Sequence, residues 1–150
     1  MGPVGEVRSA LVVSCGATTE DERGQIRSLY RLLGDPEVGG FQLSMLVDPS
    51  PAALRQELGR FLADRAPHDL VAVHLAGRVL LDAEGAAHLC TGGADDGEDG
   101  DRTPIAGCLP MAEVESAVAA CRSQRIVLLF DHPRVEAATP NGAAHRTVGA

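Results

Sequence analysis

The 150-residue chain sets 13 basic residues against 21 acidic ones for a net charge of −8, and is 45% hydrophobic but only 3% aromatic. That length accommodates one domain around one core, and the acidic balance excludes nucleic acid and anionic membrane as main partners, since both need clustered cationic side chains. No stretch approaches the ~20 apolar residues of a membrane span, and the N-terminus lacks the apolar segment of a signal peptide, which predicts a cytoplasmic protein.

In chain order, the first predicted strand is ALVVSC (10–15), a continuous apolar run as in a parallel strand covered on both faces. Thr19-Glu20-Asp21-Glu22 reads as a capping box, and the helix it opens carries Ile26, Leu29, Tyr30 and Leu33 on one face. Gly34-Asp35-Pro36 ends that helix. The second strand, FQLSMLV (41–47), alternates Phe41, Leu43 and Met45 with Gln42 and Ser44, which predicts an edge or half-exposed position. Ser50 then caps a helix with Pro51 at its first position and Leu54, Leu58, Phe61 and Leu62 as its apolar stripe.

The third strand, DLVAVHLA (69–76), is the most apolar and is expected at the centre of the sheet. VLLDAEGAAHLC (79–90) reads as a hairpin turning at Gly85, and GGADDGEDGD (92–101) as a solvated loop. A last helix over roughly 110–122 presents Val114, Ala117, Val118 and Cys121, and leads into the final strand RIVLLFD (125–131). Beyond it the composition turns to Ala, Pro, Gly and Thr, which predicts a domain over 1–137 and a flexible tail over 138–150.

Strands alternating with helices imply an α/β fold, a three-layer α/β/α sandwich with a mostly parallel sheet, in which ligands bind at the carboxyl ends of the strands. Here those ends are Cys15-Gly16, Asp48, Ala76-Gly77-Arg78 and Asp131-His132-Pro133. No glycine-rich dinucleotide or phosphate-loop motif is present, and Ser14-Cys15-Gly16 lacks the acidic residues of a phospho-receiver domain. Cys15, Cys90, Cys108 and Cys121 form no closely spaced pair and read as small buried hydrophobes, with neither a zinc site nor a disulfide framework indicated. His68, His88 and His145 have no metal-ligand spacing, and His74 reads as a core or edge histidine, so no cofactor and no metal is expected.

Four segments, LGDPEVGGFQLSMLVDPS (33–50), FLADRAPHDLV (61–71), LDAEGAAHL (81–89) and CRSQRIVLLFD (121–131), together resemble the bacterial caspase-like domains, including the metacaspases, over about 8–137. The resemblance implies a caspase-like sandwich whose third strand ends in Ser-Gly-His-Gly, with His as general base, and whose final strand ends in Asp-x-Cys, with Cys as nucleophile. This chain has Ala76-Gly77-Arg78-Val79 at the first motif and Asp131-His132-Pro133, followed by Arg134, Val135 and Glu136, at the second. A guanidinium stays protonated and cannot take a proton from a thiol; proline has neither a thiol nor an N–H. Arg78 and Pro133 therefore imply a catalytically inactive relative, a pseudoprotease serving as a protein-binding or regulatory module in a bacterial defence or signalling system.

An alternative is a caspase-like cysteine endopeptidase with a nonstandard site, such as Cys15 with His132, or one completed in trans. A third reading is a calcium-responsive switch through the acidic stretch 95–101, although Gly97 and Ala106 stand where an EF-hand loop starting at Asp95 needs acids. Asp131 matches the family acid that recognises basic side chains, and is expected to pair with Arg78 as a remnant site. Active relatives continue with two more strands after the nucleophile strand. Here Pro140, Asn141 and Gly142 argue against further strands, leaving 125–131 at an edge that a protein partner or a second copy would cover.

Overall fold

The structure, a computed structural model, describes residues 5–17, 19–91, 104–131, 135–137 and 145–147. In chain order the elements are β1 (Arg8–Ser14), α1 (Glu20–Gly34), β2 (Gln42–Val47), α2 (Pro51–Leu62), β3 (Leu70–Ala76), β4 (Val79–Leu81), β5 (Ala87–Cys90), a 3-10 turn (Pro104–Gly107), β6 (Cys108–Pro110), α3 (Met111–Ala119), β7 (Arg125–Asp131), β8 (Val135–Ala137) and β9 (His145–Thr147). The result is a mixed α/β fold with a four-stranded main sheet of parallel strands in the order β2-β1-β3-β7 and a second sheet of five short strands in the order β6-β5-β4-β8-β9.

The local chemistry of the chain sets the helix starts. Thr19 Oγ1 accepts from the Glu22 N–H at 3.1 Å while Glu22 Oε2 accepts from the Thr19 N–H at 3.1 Å, closing the capping box of α1. Ser50 Oγ accepts from the Ala53 N–H at 3.1 Å, and Pro51 takes the first position of α2, where its missing N–H leaves no bond unmade.

The two interior strands, β1 and β3, are paired on both sides, and their side chains alternate between two faces. On one face Leu11, Val13, Cys15, Val71, Val73 and Leu75 pack against Leu54, Leu58, Phe61 and Leu62 of α2 and Val114 of α3. α1 lies over β1 and β2. It is the shallowest helix: none of its side chains is fully buried. No helix among the described residues is long and apolar enough to cross a membrane.

The hairpin β4–β5 turns at Gly85, whose φ of +83° favours a residue without Cβ, and β6 extends it antiparallel. β8 joins β4 in parallel, and β9 pairs antiparallel with β8 across a register shift at Glu136/Ala137.

Of the expected flexible tail over 138–150, only residues 145–147 are described, and they pair with β8 as a strand of the second sheet. Pro140, Asn141 and Gly142 lie outside the described residues. Neither added strand extends the main sheet, where β7 pairs with β3 and is an outer strand among the described residues.

Candidate functional site

The carboxyl ends of the main-sheet strands come together through the backbone. The Cys15 N–H donates to Ala76 O at 2.8 Å, the Asp48 N–H donates to Ser14 O at 2.8 Å, and the Gly77 N–H donates to Asp131 O at 3.1 Å. Asp48, held at φ +47°, accepts from the Gly16 N–H at 2.7 Å through Oδ1, so a left-handed carboxylate ties the end of β2 to that of β1.

Gly77 links the two sheets at close quarters. A Cβ there would lie 2.9 Å from Cys15 Cβ and 3.2 Å from Cys15 O, so only glycine lets β3 pass into β4 at this spacing. The next residue, Arg78, is exposed, and its carbonyl accepts from the Cys90 N–H at 2.9 Å, fixing its backbone to the hairpin.

Arg78 and Asp131 are thus neighbours through main chain, since Asp131 accepts the Gly77 hydrogen bond and Arg78 follows Gly77. Their expected side-chain pairing is not among the ion pairs of the described residues, which join Glu6 to Arg8 and Arg125, Glu20 to Arg23 and Arg27, Glu57 to Arg60, Glu113 to Arg55, and Asp82 to His88. Both side chains are exposed, and adjacent backbones do not by themselves turn two long groups toward each other. His132 and Pro133 lie outside the described residues, as does the acidic stretch 95–101.

Cys15 is buried at the end of β1. Removal from water, reinforced by the Asp48 carboxylate, pushes its thiol up to about 12, so it is protonated at neutral pH. His74 is buried in β3 opposite Val12, on the other face of the sheet from Cys15, so these two cannot form a nucleophile–base pair. His88 Nε2 lies 3.0 Å from Asp82 Oδ2 across the hairpin, and this contact, with the Ala86 and Glu84 N–H groups, holds the Asp82 carboxyl below its ordinary range. Among the described residues no group of three His, Cys, Asp or Glu side chains is placed to hold a metal ion.

One contact had no counterpart in the sequence reading. Cys90 and Cys108 stand directly opposite each other on β5 and β6, with their sulfurs 3.1 Å apart. Seventeen intervening positions make no recognisable motif; the pairing follows from the register that sets Leu89 against Leu109.

No family model matches the chain, and no curated protein is significantly similar to it.

Proposed function

We propose that the chain is a catalytically inactive caspase-like domain, a pseudoprotease that works as a protein-binding or regulatory module in the cytoplasm of a bacterial defence or signalling system. The observation that carries this reading is the position of Arg78. It stands exposed where β3 leaves the main sheet, at the strand end where the resemblance calls for a histidine base. A guanidinium there holds a permanent charge and accepts no proton, so it binds rather than catalyses. The order of strand, helix, strand, helix, strand, hairpin, helix and strand supports the reading, since the resemblance implies the same succession. Cys15 supports it too: a buried, protonated thiol across the sheet from His74 is no substitute nucleophile.

The binding surface we assign to the module is the outer strand β7. Among the described residues it is paired on one side only, by β3, and Val127 and Leu129 are 44% and 40% exposed. An apolar strand with an open edge accepts another chain by strand addition, from a second copy or a different protein.

The test is peptide turnover by the purified chain on substrates cleaved after Arg, Lys or Asp, with and without calcium. No turnover is expected, and Cys15→Ala changes nothing. Turnover lost with Cys15→Ala would replace this reading with a cysteine endopeptidase of nonstandard site.

A further inference from the structure

We propose that Cys90 and Cys108 are a redox site, two thiols that close reversibly into a cross-strand disulfide by exchange with a low-molecular-weight disulfide. The register places the two residues face to face across an antiparallel pair, so both side chains leave the sheet on the same side. The Cys90 N–H is spent on Arg78 O, on the β4 side, at 2.9 Å. Toward β6, Cys90 therefore belongs to a non-hydrogen-bonded pair, the kind in which opposing Cα atoms approach to about 4.5 Å. That separation lies within the range a disulfide spans, so closure needs no strand to move far. The sulfurs are already 3.1 Å apart.

The two thiols are not equivalent, and their difference orders the reaction. The Cys108 S–H donates to the Cys90 sulfur, and Cys108 is buried while Cys90 is half-exposed. That hydrogen bond and burial hold the Cys108 thiol well above its ordinary range, with the Arg78 charge opposing them. Cys90, supported by the donated hydrogen bond, is the attacking sulfur. Its thiolate attacks one sulfur of oxidised glutathione, forming a mixed disulfide and expelling one glutathione thiolate. Cys108 then gives up its proton, attacks the Cys90 sulfur and expels the second glutathione. The protein loses two protons and two electrons, and the small disulfide is reduced to two thiols.

The bond would sit one backbone hydrogen bond from Arg78, linking the exposed end of β3 to the oxidation state of the surroundings. Cys15 and Cys121 have other neighbours: Cys15 packs in the core, and the Cys121 thiol donates to Leu62 O at 3.5 Å.

The test is a glutathione redox titration of the full folded chain, followed by trapping of remaining thiols and peptide mapping by mass spectrometry. Expected is loss of two hydrogens in a single step, mapped to a linked Cys90–Cys108 peptide pair and reversed by excess reduced glutathione. Cys15→Ser and Cys121→Ser leave the link unchanged, whereas Cys108→Ser stops at a glutathione adduct on Cys90. Thiols persisting at both positions in excess oxidised glutathione would overturn the proposal. So would a stable adduct on Cys90 of the wild-type chain, or linkage of either sulfur to another cysteine.

Discussion

The main sheet has two outer strands built on opposite plans. β2 interrupts its apolar residues with Gln42 and Ser44, has α1 over it, and sends Leu46 into the core. β7 is apolar from Ile126 to Phe130: Ile126 and Leu128 pack on the core, while Val127 and Leu129, on the other face, stay exposed. β2 has the composition of a strand that ends a sheet, and β7 that of a strand meant to lie inside one. An edge can thus be open for two reasons: β2 exposes the single apolar side chain of Val47 at its end, whereas β7 exposes apolar side chains along its length.

The largest effect separates interior from edge. Leu75 is fully buried in β3, so Leu75→Ala should cost about 2–5 kcal/mol of unfolding free energy in urea titration. Val127→Ala in β7 should cost far less, about 0.5 kcal/mol, in the dilute chain, because Val127 is already 44% exposed. Equal costs at the two positions would mean that β7 is not an open edge.

Ser123 is the next most sensitive point, because it anchors β7 at its start. Its buried hydroxyl donates to Asp69 O at 2.7 Å and accepts from the Arg125 N–H at 3.1 Å. Ser123→Ala leaves both partners unmet and should cost about 1–3 kcal/mol, with faster amide exchange over 125–128.

A lysine at each edge tests the comparison directly. Association through β7 is expected in sedimentation, and Leu129→Lys should abolish it with little change in the stability of the dilute chain. Val47→Lys, on the β2 edge at a side chain 65% exposed, should leave association intact. Loss of association from both variants would assign the contact to general apolar surface, not to β7.

The smallest effect is acid release at the foot of β7. Glu6 accepts from Arg125 at 2.6 Å and Arg8 at 2.9 Å, and the Arg125 and Arg8 hydrogen bonds hold its carboxyl below the ordinary range. A carboxyl lowered in the folded state stabilises at pH values above its unfolded value and loses that contribution as pH falls through the folded one. Arg125 side-chain resonances should therefore shift on acidification below the usual carboxylate range, and Glu6→Gln should remove that shift.

The long elements were legible because each carries its own periodicity: the capping box and half-buried stripe of α1, the four buried side chains of α2, and the apolar runs of β1, β3 and β7. β6, β8 and β9 were not, since three residues are too few to show a period and each is defined by the strand it meets. At the candidate site, the placing of Arg78 at a strand end was readable from the run of apolar residues before it. The Cys90–Cys108 contact was not, because it depends on a register fixed by tertiary packing. The pairing of Arg78 with Asp131 was expected from the family motif positions at two strand ends, which place backbones but not the direction of long side chains.

The order β2-β1-β3-β7 also schedules the birth of the fold on the ribosome. β3 can dock against β1 as soon as it emerges, but its other side must wait for β7, roughly fifty residues later in the chain. At ordinary synthesis rates that delay is on the order of 3–10 s. Throughout it, the most apolar strand of the molecule is the outer strand of an unfinished sheet, open to a chaperone or to another nascent chain. An outer strand thus occurs twice, first β3 for seconds during synthesis and afterwards β7, the outer strand among the described residues.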